Sequence, residues 1–458
     1  MPCSFSPEDC ARILGCSISF APLPRIPGRG INTDSRRLVA GEMFLALRGE
    51  SFDGHDYLTA AAAREACAAV VNATAAPEHP PLPLLPVPNT RQAYQDLARA
   101  WRRQLGVPLV AVTGSVGKTT TRELIKALLA PLGAIHASQA NENNAVGVPR
   151  TILAADKTVA ALVVEMAMRG PGEIAELSRC AEPDLAVITN IGSAHIGRLG
   201  SREAIAAAKC EITTALANTG LVVIPAGDHL LEAGLAARWH GAVHRVALSG
   251  DPLPSDLPPA DQCGQLRGNE LLFGERRWRL PLPGTHQARN LMLALVCAER
   301  LGVTPGNRHL AQVRLPGGRS RQLPTGRITI WDETYNASPE AVLATTDMVA
   351  EQPGHHFAVL GPMLELGSFA LAWHQRIGEH VGRRGFDGLV VVDDSPLGDA
   401  LVAGAGQTLP VVQVDTPQAA LSHVLAWLKP GDHLLLKASR GVALERLVPL
   451  LQDRLNTA

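Results

Sequence analysis

Nowhere in the 458 residues do 18 or more apolar residues follow one another, so no membrane-spanning helix is expected. No basic segment followed by an apolar one opens the chain, so no secretory leader is expected either. The eight cysteines (3, 10, 16, 67, 180, 210, 263 and 297) are scattered, without a Cys-x-x-Cys pair. That spacing fits free thiols in a reducing cytoplasm and speaks against a disulfide framework or a zinc site. Neither sign of charge dominates: 42 basic residues face 43 acidic ones, which argues against a coat for nucleic acid or anionic membrane. Lysine is scarce. Only six of the 42 basic residues are Lys (118, 126, 157, 209, 429 and 437), so each asks for a reason of its own. No Ser/His/Asp or Cys/His signature of nucleophilic catalysis is recognisable.

What is present is apolar material for a large core, 46% of the chain, at a length that predicts two to four domains at roughly 100–200 residues each. Residues 1–88 mix short strand-like runs with an Ala-rich stretch, Tyr57 to Ala69, that reads as helix. A proline-dense segment from Pro77 to Pro88 disfavours helix and marks a domain edge near 88. From 89 the pattern alternates. A helix over Thr90–Arg103 leads to an apolar strand at Val107–Thr113, a Gly-rich turn and a helix from Lys118 to about Leu132. Further buried strands are expected at Val159–Val164, Leu185–Thr189 and Leu221–Ile224, which predicts a mostly parallel sheet. A second edge falls near Leu315-Pro316-Gly317-Gly318, and the alternation then restarts. The expectation is α/β throughout, in three domains: a small α/β module at 1–88, a central domain at 89–316 and a Rossmann-like domain at 317–458. Ser338, Pro339 and Glu340 predict a helix start with a capping hydroxyl.

The strongest chemical signal is Gly114-Ser115-Val116-Gly117-Lys118-Thr119-Thr120 between an apolar strand and a helix. In that setting backbone N–H groups and a helix N-terminus cradle phosphates, Lys meets the β/γ charge, and a hydroxyl holds magnesium. The strict pattern wants Gly where Val112 stands, so the loop is a variant. Glu165, at the end of an apolar strand, is the candidate acid near the metal.

Beyond that loop, the chain resembles the Mur ligases. Asn141-Glu142-Asn143-Asn144 through Pro149 looks like the family's Asn-rich loop. Glu165 to Ile174, Asn190 to His195 and Ala208 to Ile212 resemble its successive central motifs. Asp332 to Pro339, Leu360 to Gly367 with His374, and Leu436 to Arg440 resemble the MurF branch, while Thr33-Asp34-Ser35-Arg36, Phe44 and Asp53-Gly54-His55 resemble the uridine-nucleotide module that this branch shares with MurE. The resemblance implies an ATP-dependent amide ligation, joining D-alanyl-D-alanine to a UDP-N-acetylmuramoyl-tripeptide through an acyl phosphate. The resemblance makes this the last cytoplasmic step towards the peptidoglycan pentapeptide precursor.

The resemblance also implies roles. Gly114, Ser115, Val116, Gly117, Lys118, Thr119 and Thr120 bind ATP, joined by Asn290 and, from the third domain, by Arg319 and Asp332. Thr119 and Glu165 hold one magnesium. His195 holds a second with Lys209, whose amine carries CO₂ as a carbamate, a reaction that an always-protonated Arg cannot undergo. Lys118, Glu165, His195 and Lys209 form the catalytic set. Ser35, Arg36, Asn143, Asn144, Tyr335, Asn336, Lys437, Ser439 and Arg440 bind substrates. His286-Gln287 stands where the family usually has His-Asn, which favours Asn290 as the adenine contact. Cys210, beside Lys209, reads as a small buried residue. The partners implied are three small molecules and no nucleic acid, and the protein is expected to be a cytoplasmic monomer. The rival readings are the MurE branch, whose diaminopimelate users carry an Asp-Asn-Pro-Arg element absent here, a folylpolyglutamate-synthase-like ligase, which lacks the uridine module, and a P-loop regulatory NTPase, which needs no third domain with polar motifs of its own.

Overall fold

In the computed structural model, residues 3–19, 29–407 and 409–456 are described, and three sheets succeed one another along them. The first is small and parallel: β1 (Ile31–Asn32), β2 (Met43–Leu45), β3 (Ala69–Asn72) and β4 (Leu84–Val87), in that order across the sheet. Two expectations need correction here. The Ala-rich stretch forms a short turn at Gly54–Tyr57 and a helix only from Leu58 to Ala63. Glu65 then takes a left-handed conformation, and Ala66, Cys67 and Ala68 turn inward to feed β3. Burial in a sheet outweighs alanine's helix propensity. The proline-dense segment does more than mark an edge, because it contains β4. Pro86 pairs with Val71 in the outermost strand, where a missing N–H costs the ladder little.

Helix Thr90–Leu105 follows, capped by Asn89, whose side-chain oxygen accepts from Arg91 N and Gln92 N at 3.0 and 3.1 Å, and closed by left-handed Gly106. Its Trp101 is buried, donates to Ala155 O at 2.8 Å and meets Phe5 edge-on at 5.4 Å. One aromatic thus ties the N-terminal residues to the next domain.

The central sheet has nine strands: β5 (Leu109–Thr113), β6 (Ala134–Ala137), β7 (Val159–Glu165), β8 (Leu185–Ile188), β9 (Leu221–Pro225), β10 (Ala242–Leu248), β11 (Gln262–Arg267), β12 (Glu270–Phe273) and β13 (Arg276–Arg279). Their order is β13-β12-β11-β10-β9-β8-β5-β7-β6, parallel except for the β11-β12-β13 meander. β5, β7 and β8 are apolar and covered on both faces, as parallel strands between helices must be. The chain leaves β5 for the edge strand β6, returns to β7, and only then crosses to β8 on the other side. That reversal opens a crevice at the carboxyl ends of β5, β7 and β8, where an open α/β sheet binds ligands.

The third sheet runs β14 (Arg321–Thr325), β15 (Ile328–Glu333), β16 (His356–Leu360), β17 (Gly388–Val392), β18 (Val411–Val414) and β19 (His433–Lys437), in the order β14-β15-β19-β16-β17-β18, with only β14 antiparallel. Helix Pro339–Ala350 begins where expected, but the Ser338 hydroxyl makes no capping bond. It is buried without a partner, so of the expected start signals only Pro339 at the first position and Glu340 in the first turn are in place. Among the described residues no helix is long and apolar enough to cross a membrane.

Candidate active site

The Gly-rich turn leaves β5 at Thr113 and enters helix Lys118–Leu129. Its glycines are forced by space. Gly114 has φ +146°, and a Cβ there would lie 1.9 Å from Thr189 Oγ1. Gly117 has φ +84°, and a Cβ there would lie 2.7 Å from Asn290 Oδ1. The loop is clamped from the end of β8: Ser115 N donates to Asn190 O at 3.1 Å, Val116 N to Asn190 Oδ1 at 3.0 Å, and Gly192 N to Ser115 Oγ at 2.9 Å. Lys118 Nζ donates to the carbonyls of Gly114 and Ser115 at 2.7 and 3.0 Å. Burial holds its ammonium below the ordinary lysine range. Glu165 opposes that shift, and Arg319, from the third domain, adds to it. Thr120 is buried two residues further into the helix. Asn290 Nδ2 donates to Gln287 Oε1 at 3.1 Å, and Gln287 Nε2 reaches Ser320 Oγ at 2.9 Å, so this corner joins the central and third domains. His286 beside it is pushed down to about 4, chiefly by desolvation.

Glu165 is the hub of the crevice. Its Oε2 accepts from Thr119 Oγ1 at 2.9 Å and from Arg122 Nη1 at 3.2 Å, and its Oε1 accepts from Asn143 Nδ2 at 2.8 Å. The strand, the P-loop helix and the Asn-rich loop therefore meet on one carboxylate. Arg122, almost wholly buried and also bonded to Glu123 at 2.6 Å, was not anticipated from the sequence. Helical spacing would have pointed to it, since it lies one turn beyond Lys118 and Thr119 on the same helix. A cavity of about 290 Å³ lined by Arg122, Lys126, His136 and Arg314 contains none of the P-loop residues in its wall. Asn144 is turned to its own backbone, accepting from Val146 N and Gly147 N at 3.1 and 2.9 Å, which sets the start of helix Gly147–Ala154.

Lys209, at the end of helix Arg202–Cys210, is buried, and burial first, then Lys118, holds its ammonium well below the usual range. That shift is in the direction that favours the neutral amine, the form that can react with CO₂. Neighbouring Cys210 has its thiol pushed up to about 12 by burial, against any nucleophilic role. Glu211 next to it had no assigned role. It accepts from Gly172 N and Ala175 N at 2.8 and 3.2 Å and caps helix Glu173–Ala181 at its positive end. His195 has a left-handed backbone, and its Nδ1 donates to Glu365 of the third domain.

The third domain brings a second set to the edge of the same crevice. Asp332 accepts from Thr334 Oγ1 at 2.7 Å, and Glu333 takes Ser320 N at 2.9 Å and Lys437 Nζ at 3.3 Å. Lys437 also reaches Asn336 O at 3.3 Å. The Arg319 guanidinium lies 3.4 Å from the centre of the Tyr335 ring and that of Arg440 5.8 Å. Ser439 Oγ accepts from Leu364 N at 2.9 Å.

Ser35 and Arg36 lie in the N-terminal module, far along the chain from this crevice, but they are linked to it. Arg150, on the helix after the Asn-rich loop, donates to Thr33 Oγ1 at 3.2 Å and to Glu142 Oε1 at 3.4 Å. Ser35 is buried in a short helical turn capped by Asp34, and Arg36 is exposed and paired with Asp34 at 2.9 Å, which holds that carboxyl down to about 2.

The metal donors the crevice offers, Thr119 Oγ1 and Glu165, are hard oxygens side by side. Among the described residues no three His, Cys, Asp or Glu side chains are grouped to hold an ion unaided. That donor set fits Mg²⁺, which keeps several waters and takes the rest of its shell from phosphates. All eight cysteines are free.

Three family models match the chain in order: "Mur ligase family, catalytic domain" at residues 28–102, "Mur ligase middle domain" at 112–298 and "Mur ligase, glutamate ligase domain" at 318–440. The chain is 39% identical to the UDP-N-acetylmuramoyl-tripeptide–D-alanyl-D-alanine ligase of Synechocystis over 92% of this chain and 91% of that one. Among solved structures it is similar to MurF of Acinetobacter baumannii, with a TM-score of 0.88 at 26% identity over 99% of both chains. It is also similar to the MurF ligase of Thermotoga maritima in complex with ADP, with a TM-score of 0.82 at 28% identity over 94% of this chain and 98% of that one.

Proposed function

The chain belongs to the Mur ligase family, and from that premise we infer that it joins D-alanyl-D-alanine to UDP-N-acetylmuramoyl-tripeptide at the expense of ATP, for peptidoglycan synthesis. The observation that carries the reading is the Glu165 hub, where a phosphate-binding loop and the Asn-rich loop meet on one carboxylate. A carboxylate is a poor electrophile, and transfer of a phosphoryl group to it creates a leaving group. The amine of the dipeptide then attacks the acyl carbon, and phosphate departs from the tetrahedral intermediate.

The chain's part in this is positioning and charge. The N–H groups of Gly117 to Thr120 cradle the phosphates on a loop that Ser115 and Val116 brace against Asn190, Lys118 swings from its loop carbonyls to neutralise them, and Arg319 and Asp332 complete the nucleotide site from the third domain. Thr119 and Glu165 would hold Mg²⁺, whose charge would offset that developing on the phosphoryl oxygens. His195, and Lys209 as its carbamate, would hold a second ion, a reading supported by the burial of Lys209 and the downward shift that burial imposes on its ammonium. Asn290 sits at the adenine corner. Ser35 and Arg36 receive the uridine diphosphate. Asn143 and Asn144 line the path of the tripeptide, and Tyr335, Asn336, Lys437, Ser439 and Arg440 face the incoming dipeptide. The functional units are residues 1–88, 89–316 and 317–458, each containing one of the three sheets. A cytoplasmic location follows from the nucleotide substrates.

The test is phosphate release from ATP and UDP-N-acetylmuramoyl-tripeptide with and without D-alanyl-D-alanine, with the product weighed by mass spectrometry. Release that requires both acceptors and yields the pentapeptide is expected. Release indifferent to the dipeptide would point to another branch or to a switch NTPase.

A further inference from the structure

The third domain touches His195 through one loop, residues 361–367, and that loop is held at every turn. Gly361 N donates to Lys437 O at 3.0 Å, Ser439 N to Pro362 O at 3.1 Å, Met363 N to His374 Nε2 at 2.9 Å and Leu364 N to Ser439 Oγ at 2.9 Å. His374 is itself fixed, its Nδ1 donating to Ala370 O at 2.7 Å. From this rigid base Glu365 leans across the domain boundary. Its backbone oxygen accepts from Gly197 N at 3.0 Å, one carboxylate oxygen accepts from His195 Nδ1, and the other faces Arg198 Nη2 at 3.3 Å. His195 and Glu365 both adopt left-handed backbones, with φ of 66° and 63°, which surroundings must enforce. Beneath them the two backbones touch. A Cβ on Gly197 would fall 2.5 Å from Gly367 N, and one on Gly367, at φ +56°, would fall 2.8 Å from Gly197 Cα.

We propose that Glu365 is a positioning residue for His195: its carboxylate accepts a hydrogen bond from Nδ1–H and so fixes the orientation of the ring and its Nδ1–H tautomer, and it does so only while the third domain is seated. The inference rests on the ligase reading above. It makes the central domain's histidine competent through a group that arrives with the loop beside Ser439, so the acceptor side and the phosphoryl side are assembled in one movement. Domain docking has contacts that do not involve the Glu365 side chain: the backbone approach of Gly197 to Gly367, the Glu365 carbonyl, the bond from Ser193 N to Glu340 Oε1 at 2.7 Å and that from Gln287 Nε2 to Ser320 Oγ at 2.9 Å.

That separation gives the test. Glu365→Ala, Glu365→Gln and Gly367→Ala are compared with the wild type by steady-state kinetics and, with ADP bound, by small-angle scattering of the full chain. For Glu365→Ala, kcat is expected to fall about 10–100-fold, the range for loss of a partner that orients a ligating histidine. KM for ATP should stay within about two-fold and the radius of gyration should not change. Glu365→Gln, whose amide oxygen still accepts from Nδ1–H, should recover most of the loss. Gly367→Ala should open the molecule and serves as the scale for opening. The proposal is overturned by a wild-type kcat in Glu365→Ala, by Gln behaving as poorly as Ala, or by Glu365→Ala opening the domains as Gly367→Ala does. Absence of pentapeptide from the wild type would instead overturn the ligase reading, and the parallel assay tells the two failures apart.

Discussion

Replacing Arg122 by Met should cost the central domain more stability than any exposed substitution in it. The guanidinium and the Glu165 carboxylate lie 3.2 Å apart with side chains 1% and 3% exposed, so at an effective dielectric near 20 their attraction is about 5 kcal/mol. Removing one partner leaves a buried carboxylate, and broken buried pairs cost about 3–5 kcal/mol. Glu165 keeps its bonds from Thr119 and Asn143, which places the loss at the lower end, about 3 kcal/mol. For a unit of this size each kcal/mol lowers the melting temperature by about 2–4 °C, so a drop of about 6–12 °C is expected in differential scanning calorimetry without nucleotide. Arg122→Lys keeps a charge but lacks the fork that serves Glu123 and Glu165 together, and should fall between. A melting temperature for Arg122→Met within about 2 °C of the wild type would refute the reasoning.

Lys118→Ala and Glu165→Ala should each abolish pentapeptide formation, with at least about 10³-fold loss in kcat/KM, because each removes a charge aimed at the transferred phosphoryl group. Lys209→Ala should lose activity that short carboxylates partly restore, and the wild type should slow in CO₂-depleted buffer and recover with bicarbonate. Gly114→Ala should weaken ADP binding at least about ten-fold by calorimetry, since the loop must move off Thr189 to admit the methyl group. For His286 the folded state holds the imidazole at about 4, below its free value, so its contribution is complete above pH 6.5 and is lost as pH falls towards 4. Melting temperature should therefore drop more steeply over that interval in the wild type than in His286→Gln.

The P-loop strand, its turn and its helix were legible from the chain alone, because glycine spacing and an apolar run are local properties. The same holds for β7, β8 and the alternation of the third domain, whose buried parallel strands read as continuous apolar runs. Local pattern failed where long-range burial decided. The alanines before β3 were pulled into a sheet, the prolines around Leu84 could occupy an edge strand, and the Ser338 hydroxyl was left without its cap. The end of an apolar strand brought Glu165 to notice, and the family signatures brought His195 and Lys209, all as separate motifs. Only the tertiary structure put Arg122 and Asn143 on Glu165, turned Glu211 into a helix cap, and set Glu365 against His195. Those partners lie between 22 and 170 residues apart or on different elements. No periodicity along a chain encodes which carboxylate will meet which cation across a sheet or a domain boundary. That is fixed by strand order and by the close approach of Gly197 to Gly367, and so by packing.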